Sequence, residues 1–229
     1  MMETLAERLA EIRGQIAQAA EKAQRSADEV KLVAVSKTHG AAIVGEAIAA
    51  GARVFGENKV QEAEGKIAEI GRENAEWHLI GHLQSNKARK AARLFDVIHT
   101  LDSVELAERL ERICQEEARA ELSVFVQVDL AKEATKNGIE EKDLPALVEF
   151  LRGAKHLKFD GLMIVPPFFE DLEKVRPFFR RLREMRDEIC PGGALSMGMS
   201  HDFPVAIEEG ATIIRVGTAI FGEREYNVD

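Results

Sequence analysis

The chain has 229 residues, of which 45% are hydrophobic and 31% are charged, with 31 Lys and Arg against 40 Asp and Glu. This composition is ordinary for a globular protein that buries a hydrophobic core, and it excludes intrinsic disorder as the main state. The formal net charge of -9 is spread along the chain without a basic block, which argues against nucleic acid as a partner.

The cysteines and the N-terminal residues indicate a cytoplasmic protein. Cys114 and Cys190 are too far apart in sequence to form a disulfide framework or a metal-binding motif. The N-terminus is charged from its third residue and lacks the apolar core of an export signal. The longest apolar stretch, residues 161–169, contains two prolines and is far shorter than the roughly 20 residues of a membrane-spanning helix. We therefore expect no membrane association.

Residues 4–23 are predicted to form an amphipathic helix that precedes the rest of the fold. Thr4 and Glu7 match a capping box. Apolar residues then recur at spacings of three and four, namely Leu5, Leu9, Ile12, Ile16, Ala19 and Ala23. One face of this helix must pack on another part of the protein.

After this helix, short runs rich in β-branched residues alternate with helical segments. The eight candidate strands are residues 31–35, 52–55, 77–80, 95–98, 122–128, 159–165, 194–199 and 212–216. Helix-period apolar positions lie between them, for example in residues 103–118, 142–151 and 178–189. This alternation predicts a (β/α)8 TIM-type barrel over about residues 31–222, with 1–229 as a single domain.

An open doubly wound sheet is the alternative fold. It would need a glycine-rich phosphate loop after an early strand, and residues 35–40 (VSKTHG) do not provide one. The barrel is therefore the favoured architecture.

Lys37 lies where a barrel carries its chemistry, at the C-terminal end of the first strand. Strand alternation places Val33, Val35 and Lys37 on one face, which we interpret as the barrel interior. Desolvation lowers the pKa of an amine and makes it a candidate nucleophile toward a carbonyl. A lysine that only ends a strand and extends into solvent is the commoner case, and position alone favours that interpretation.

Polar and small residues also follow the other strands. Ser200, Gly217 and Thr218 come from the loops after strands seven and eight, where this fold recurrently binds phosphate. The ends of strands two, three and five carry further polar residues, namely Glu57, Asn58, His82, Gln84, Asp129, Glu133 and Lys136.

Arg215 is unexpected, because it interrupts the apolar run of a buried parallel strand. Its guanidinium needs a partner, which could be a carboxylate such as Asp202 or Glu57, or an atom of a ligand. Charge alone does not choose between a structural ion pair and a ligand contact. The histidines of strands three and four, His78 and His99, lack the carboxylate or thiolate neighbours of a metal site and are interpreted as hydrogen-bonding residues.

Several of these segments together resemble the pyridoxal phosphate homeostasis proteins. The matching segments are LVAVSKT (32–38), FGEN (55–58), WHLIGHLQSNK (77–87), EATKNG (133–138), LSMGMS (195–200) and IRVGTAIFG (214–222). The resemblance implies a barrel like the N-terminal domain of alanine racemase, with pyridoxal 5'-phosphate (PLP) as cofactor. Members of this family are regarded as carriers or regulators of vitamin B6 and amino-acid pools, without an established turnover reaction.

The resemblance also implies roles for individual residues. Lys37 would hold the PLP aldehyde as a Schiff base, and Ser200, Gly217 and Thr218 would bind its phosphate. Arg215 would face the pyridine nitrogen. Because an arginine is always protonated and can only donate, the pyridine nitrogen beside it would not carry a proton, and the ring becomes a weaker electron sink. The remaining expected cofactor contacts are Asn58, His82 and Met199. No catalytic residue and no metal site are predicted.

Three functions remain open from the sequence. The favoured one is a monomeric PLP homeostasis protein without turnover, whose candidate partners are PLP, amino acids and PLP-dependent apoenzymes. The second is a weak PLP-dependent amino-acid racemase or transaminase, which would need a second acid–base group that the motifs do not show; the single tyrosine, Tyr226, lies in the tail. The third is a lyase that uses a Schiff-base lysine on a phosphorylated metabolite without a cofactor.

Overall fold

The strands of the molecule close into a barrel. The computed structural model describes residues 3–131 and 137–222, and within these ranges eight parallel strands each pair with the next, while the last pairs with the first. This arrangement confirms the predicted (β/α)8 barrel. The strands are β1 (Lys31–Val35), β2 (Val54–Glu57), β3 (Glu76–Leu79), β4 (Val97–Leu101), β5 (Leu122–Gln127), β6 (Leu157–Met163), β7 (Ala194–Met199) and β8 (Ile213–Val216).

Helices alternate with these strands and surround them. They are α1 (Leu5–Lys22), α2 (Ala41–Ala49), α3 (Val60–Ile70), α4 (Ala88–Leu94), α5 (Val104–Glu116), α6 (Leu144–Gly153), α7 (Arg176–Ile189), α8 (Phe203–Glu208) and α9 (Thr218–Phe221). The predicted helical segments 103–118, 142–151 and 178–189 correspond to α5, α6 and α7. Within the described ranges, no helix combines the length and apolar character that crossing a bilayer requires.

Each predicted strand is present, but three of them are displaced by about two residues. β2 and β4 begin and end later than the predicted segments 52–55 and 95–98, because each continues through buried polar or small residues. In β4 these are His99 and Thr100, and in β2 they are Gly56 and Glu57. The third, β6, covers 157–163 instead of 159–165. Apolar runs alone therefore misplace a strand end when buried strand positions hold polar side chains.

The core has two layers, as alternation in a closed barrel requires. A small cluster fills the barrel interior and consists of Val33, Val97, Phe125, Met163 and Ile213. The larger layer lies between the outer face of the strands and the helices and includes Ala34, Phe55, Trp77 and Ile98. Val33 therefore lies on the interior face, as predicted for the strand that leads to Lys37.

The N-terminal helix packs against the outside of the barrel. Thr4 and Glu7 form the predicted capping box at its start. Its buried face contacts α2, α8 and α9, and Arg8 donates from Nε to the carbonyl of Ile220 at 2.7 Å. The expected packing of this helix is therefore confirmed.

Three residues discussed from the sequence, Glu133, Lys136 and Tyr226, lie outside the described ranges.

Candidate functional site

A cavity of about 330 Å³ opens at the C-terminal ends of the strands, a volume within the range typical of small-molecule sites. Seven of the eight predicted cofactor-binding residues line it, namely Lys37, Asn58, Met199, Ser200, Arg215, Gly217 and Thr218. The remaining lining residues are Val35, Thr38, His39, Ile80, Val165, His201 and Gly222. The cavity thus gathers side chains from the ends of six strands, at the position where barrels carry their chemistry.

Lys37 enters the cavity from a tight turn that follows β1. Its side chain is half-buried. The amine is therefore less desolvated than expected for a lysine inside the barrel. Thr38 adopts a left-handed backbone conformation with φ of 71°, which is uncommon for a residue other than glycine. Its N–H donates to the carboxylate of Glu62 in α3, and this bond holds the turn in place.

A buried ionic cluster lies directly behind this turn and was missed from the sequence. Lys66 of α3 donates from Nζ at 2.7 Å to each of three oxygens, those of the Ser36 carbonyl, Glu57 and Glu62. Ser36 also donates from its hydroxyl to Glu57 at 2.6 Å. Burial raises the pKa of Glu57, and the hydrogen bonds from Lys66 and Ser36 oppose that rise. The cluster fixes both neighbours of Lys37.

Arg215 is fully buried apart from its contact with the cavity. It donates from Nη1 to the hydroxyl of Ser196 at 2.6 Å and from Nη2 to the carbonyl of Ile164 at 2.8 Å. Within the described residues no carboxylate lies within 4.0 Å of the guanidinium, so the structural ion pair with Asp202 or Glu57 is wrong. Burial lowers the pKa of Arg215 to about 10, which still leaves the group protonated at neutral pH.

The ion pair fails because both carboxylates have other partners. Glu57 binds Lys66, and Asp202 accepts the N–H of Met199 at 2.6 Å and so closes the turn after β7. Asp202 acts on Arg215 only through longer-range Coulombic attraction.

The loops after β7 and β8 are joined at the far side of the cavity. The hydroxyl oxygen of Ser200 accepts the backbone N–H of Gly217 at 3.1 Å and that of Ala219 at 3.5 Å. A side chain at Gly217 would lie 3.3 Å from Val35, so the absence of one lets the β8 loop approach the end of β1. Ser200, Gly217 and Thr218 therefore lie together on the cavity wall.

His82 is the one predicted contact that the structure separates from the others. Its Nδ1 lies 3.5 Å from Asp102 Oδ2, its side chain is 44% exposed, and it does not line the cavity. The chain diverges at Gly81, where a Cβ would lie 2.3 Å from the Asn58 carbonyl oxygen. This close approach directs Asn58 into the cavity and carries His82 toward the end of β4.

Two imidazoles line the cavity without having been predicted there. His39 stacks on Phe221 at 5.1 Å between ring centroids, and His201 packs on the exposed Phe168 at the same distance. His39 could have been found from its position two residues after Lys37. His201 could have been found because it follows Ser200 directly.

The lining of the cavity is electropositive although the protein carries a net charge of -9. Among the described residues that line it are the cations Lys37 and Arg215 and no carboxylate. Cations and hydroxyl groups without a carboxylate, in the part of the lining that the structure describes, favour an anionic ligand.

Comparisons with known proteins agree with this geometry. Residues 8–225 match the family model of the alanine racemase N-terminal domain. The chain is 41% identical to a pyridoxal phosphate homeostasis protein of Aquifex aeolicus, with 96% of this chain and 98% of the relative covered. It is 44% identical to the protein of the same description from Pseudomonas aeruginosa, with 98% of each chain covered.

Solved structures show the same relationship. The structure of PipY from Synechococcus elongatus with PLP bound superposes with a TM-score of 0.84 at 42% identity, over 96% of this chain and 100% of PipY. Alanine racemase from Corynebacterium glutamicum gives a TM-score of 0.65 at 19% identity over 62% of its length, which shows a shared fold only. The chain therefore belongs to the pyridoxal phosphate homeostasis protein family, whose barrel is that of the alanine racemase N-terminal domain.

Proposed function

We propose that this chain is a single-domain PLP carrier that binds the cofactor in the cavity at the strand ends, through a Schiff base with Lys37, and serves intracellular PLP homeostasis without turnover. The observation that carries the proposal is a cavity whose described lining combines an amine, a buried guanidinium and hydroxyl groups and contains no carboxylate. PLP has a matching set of groups, because it combines an aldehyde, an anionic phosphate and a pyridine nitrogen.

Each part of the cavity has a role in this proposal. The amine of Lys37 condenses with the aldehyde and releases one water. Ser200 and Thr218 offer hydroxyls to the phosphate, and because the Ser200 oxygen accepts the N–H groups of Gly217 and Ala219, its own proton is available to the anion. Arg215 presents a charged donor toward the pyridine nitrogen, while Asn58 and Met199 contact the ring.

The absence of turnover follows from what the chain supplies. Bound PLP acts as an electron sink for carbanions, and that capacity is greatest when the pyridine nitrogen is protonated. Arg215 keeps its own proton, since a pKa of about 10 is far above neutral pH, and so it donates a hydrogen bond without transferring the proton. Both names given to the relatives above describe homeostasis and not an enzymatic reaction, in agreement with this proposal.

One observation favours the second candidate, a weak PLP-dependent racemase or transaminase. His39 and His201 line the cavity, so acid–base groups other than Lys37 are present. His201 is exposed and its Nε2 lies 3.2 Å from the carbonyl of Phe169, and a hydrogen bond there occupies that nitrogen.

The first experiment tests binding. Wild-type protein incubated with PLP should become yellow, and borohydride reduction followed by peptide mapping should place the adduct on Lys37. Lys37→Ala should remain colourless, whereas Lys59→Ala, an exposed lysine just after β2, should behave as wild type. A colourless wild-type protein, or an adduct on another lysine, contradicts the proposal and leaves the cofactor-free lyase as the alternative.

The second experiment tests turnover. PLP-loaded protein is incubated in D2O with alanine, serine or lysine, and deuterium at Cα is followed by NMR. We expect exchange far below the enzyme median of about 10 per second. Exchange at enzymatic rates that is lost in His39→Gln or His201→Gln would establish the racemase or transaminase candidate instead.

A further inference from the structure

A continuous hydrogen-bonded chain crosses the barrel interior and ends on Arg215. We name it the interior chain, and it consists of Glu76, His78, His99, Ser196 and Arg215. Its members come from β3, β4, β7 and β8, and the ring of His99 stacks on the interior residue Phe125 at 4.7 Å. It runs from the cavity to Glu76, at the opposite end of the strands.

The links are short, and the inner members are buried. His99 Nδ1 lies 2.8 Å from Ser196 Oγ, and His99 Nε2 lies 2.8 Å from His78 Nδ1. His78 Nε2 lies 2.8 Å from Glu76 Oε1. The two histidines and Ser196 are each 0% exposed, whereas the Glu76 side chain is 35% exposed and also binds Lys31 at 3.0 Å.

The chemistry of the two ends, together with neutral histidine rings, sets the direction of the hydrogen bonds between them. Arg215 can only donate, so the hydroxyl of Ser196 accepts from it and has its own proton available for His99 Nδ1. At the other end, the hydrogen bond from His78 lowers the pKa of Glu76 to about 2, so at neutral pH this carboxylate only accepts. Both requirements give the same direction of donation, from Arg215 to Glu76.

This direction leaves each neutral histidine one tautomer. His99 and His78 both carry their proton on Nε2 and accept at Nδ1. A doubly protonated ring would instead place a second buried cation on the chain that ends on the Arg215 guanidinium. Burial lowers the pKa of both histidines, in agreement with neutral rings.

The chain orients Arg215 without neutralising it. Ser196 and Ile164 hold two of its nitrogens, so the guanidinium cannot rotate without breaking both bonds. Both acceptors are neutral, and each dipole of the chain turns its negative end toward the cation. A contacting carboxylate would give a tighter partner but would also cancel the charge that the cavity uses.

We propose that Ser196, His99 and His78 are positioning residues that hold Arg215 charged and in one orientation toward the cofactor ring, with both histidines as neutral Nε2–H tautomers. This inference rests on the proposed function, and its tests are separable from it. The tautomers are a property of the protein itself and can be measured without PLP.

The first test is two-bond 1H–15N NMR on protein labelled with 15N-histidine, with and without PLP. His78 and His99 should both show a protonated Nε2 and an unprotonated Nδ1 at about neutral pH. His156 provides an internal comparison, because its Nδ1 faces the carbonyl of Arg119 at 3.2 Å and should carry the proton there when the ring is neutral. An Nδ1–H tautomer or an imidazolium at His78 or His99 overturns the interior chain.

The second test measures how strongly the chain acts on bound PLP. His99→Leu removes both hydrogen bonds and replaces the ring by an apolar side chain. It should raise the Kd for PLP about fivefold or more and should shift the pyridine 15N resonance of labelled PLP. His99→Gln retains one acceptor and one donor and should restore most of both properties. His156→Leu, outside the chain, should leave them unchanged.

The outcomes separate the two proposals. If wild-type protein binds PLP but His99→Leu and Ser196→Ala leave both the Kd and the 15N resonance unchanged, the positioning role is wrong and the proposed function stands. If wild-type protein fails to bind PLP, the proposed function fails, and a positioning role toward PLP fails with it whatever tautomers are found. Where His99→Leu does not fold, Ser196→Ala and His99→Gln give the same comparison.

Discussion

Replacing Lys66 by methionine should be among the most damaging single changes behind the cavity. The side chain of Lys66 is 6% exposed and that of Glu57 is 0% exposed, so the pair is shielded from solvent. Methionine approximately keeps the volume but leaves a buried carboxylate without its cation. Breaking a buried pair in this way typically costs about 3 to 5 kcal/mol. We expect Lys66→Met to lower the free energy of unfolding by that amount.

The pH dependence of this loss has a definite sign. Without Lys66, burial raises the pKa of Glu57 further above its value in the unfolded chain, so the folded state binds the proton more tightly. Stability in the variant should therefore decrease as pH rises from the unfolded pKa of about 4.3 through the folded-state pKa. The difference between variant and wild type should be smaller at about pH 5 than at about pH 8.

Urea denaturation followed by circular dichroism measures both effects. Lys66→Met/Glu57→Gln removes the stranded charge as well and should regain part of the lost stability. Lys90→Met breaks the exposed pair between Lys90 and Glu64 and should change stability by less than about 1 kcal/mol. If Lys66→Met costs no more than Lys90→Met, the buried cluster does not stabilise the turn that carries Lys37.

Three further predictions concern the cavity and the interior chain. Ser200→Ala and Thr218→Val should each weaken PLP retention by about 1 to 3 kcal/mol, but should leave the affinity for pyridoxal, which lacks the phosphate, nearly unchanged in equilibrium dialysis. Gly81→Ala should destabilise by about 1 to 3 kcal/mol in urea denaturation, because its Cβ would lie 2.3 Å from a backbone oxygen, whereas Gly65→Ala, with open space around it in α3, should stabilise slightly. Glu76→Gln should lose stability against wild type near neutral pH, and this difference should shrink as pH falls from about 4.5 to about 2, since the depressed pKa of Glu76 contributes only above that window.

The barrel could be predicted from the sequence because its signal is local. β-branched runs alternate with helix-period segments, and each βα unit repeats the pattern, so the architecture follows without knowledge of any long-range contact. The strand ends could not be predicted as well. His99 and Glu57 are polar but buried within their strands. His99 is bonded to His78 and Ser196 inside the barrel, and Glu57 to Ser36 and Lys66 between barrel and helices, and no local pattern records these long-range partners.

The part of the site that could be predicted is the part whose signal is local in the sequence. Lys37, Ser200 and Thr218 follow their strands directly, so the rule that chemistry lies at strand ends finds them. Lys66 was missed because its partner Ser36 is 30 residues away and its helix resembles any other amphipathic helix. His82 lies apart from the other predicted contacts, since Gly81 closely approaches Asn58, a contact that sequence spacing does not contain.

Lys37 and Arg215, the two cations of the cavity, are held by different kinds of interaction. The turn that carries Lys37 is held by the charges of other residues, because Lys66 binds the carboxylates of Glu57 and Glu62 and the carbonyl of Ser36. Arg215 must itself present its charge, so it is held by the neutral interior chain. Damage to the ionic cluster should therefore appear first in the free energy of unfolding. Damage to the interior chain should appear first in the spectroscopic properties of bound PLP. The reason is that losing a neutral hydrogen bond costs less free energy of unfolding than breaking a buried ion pair.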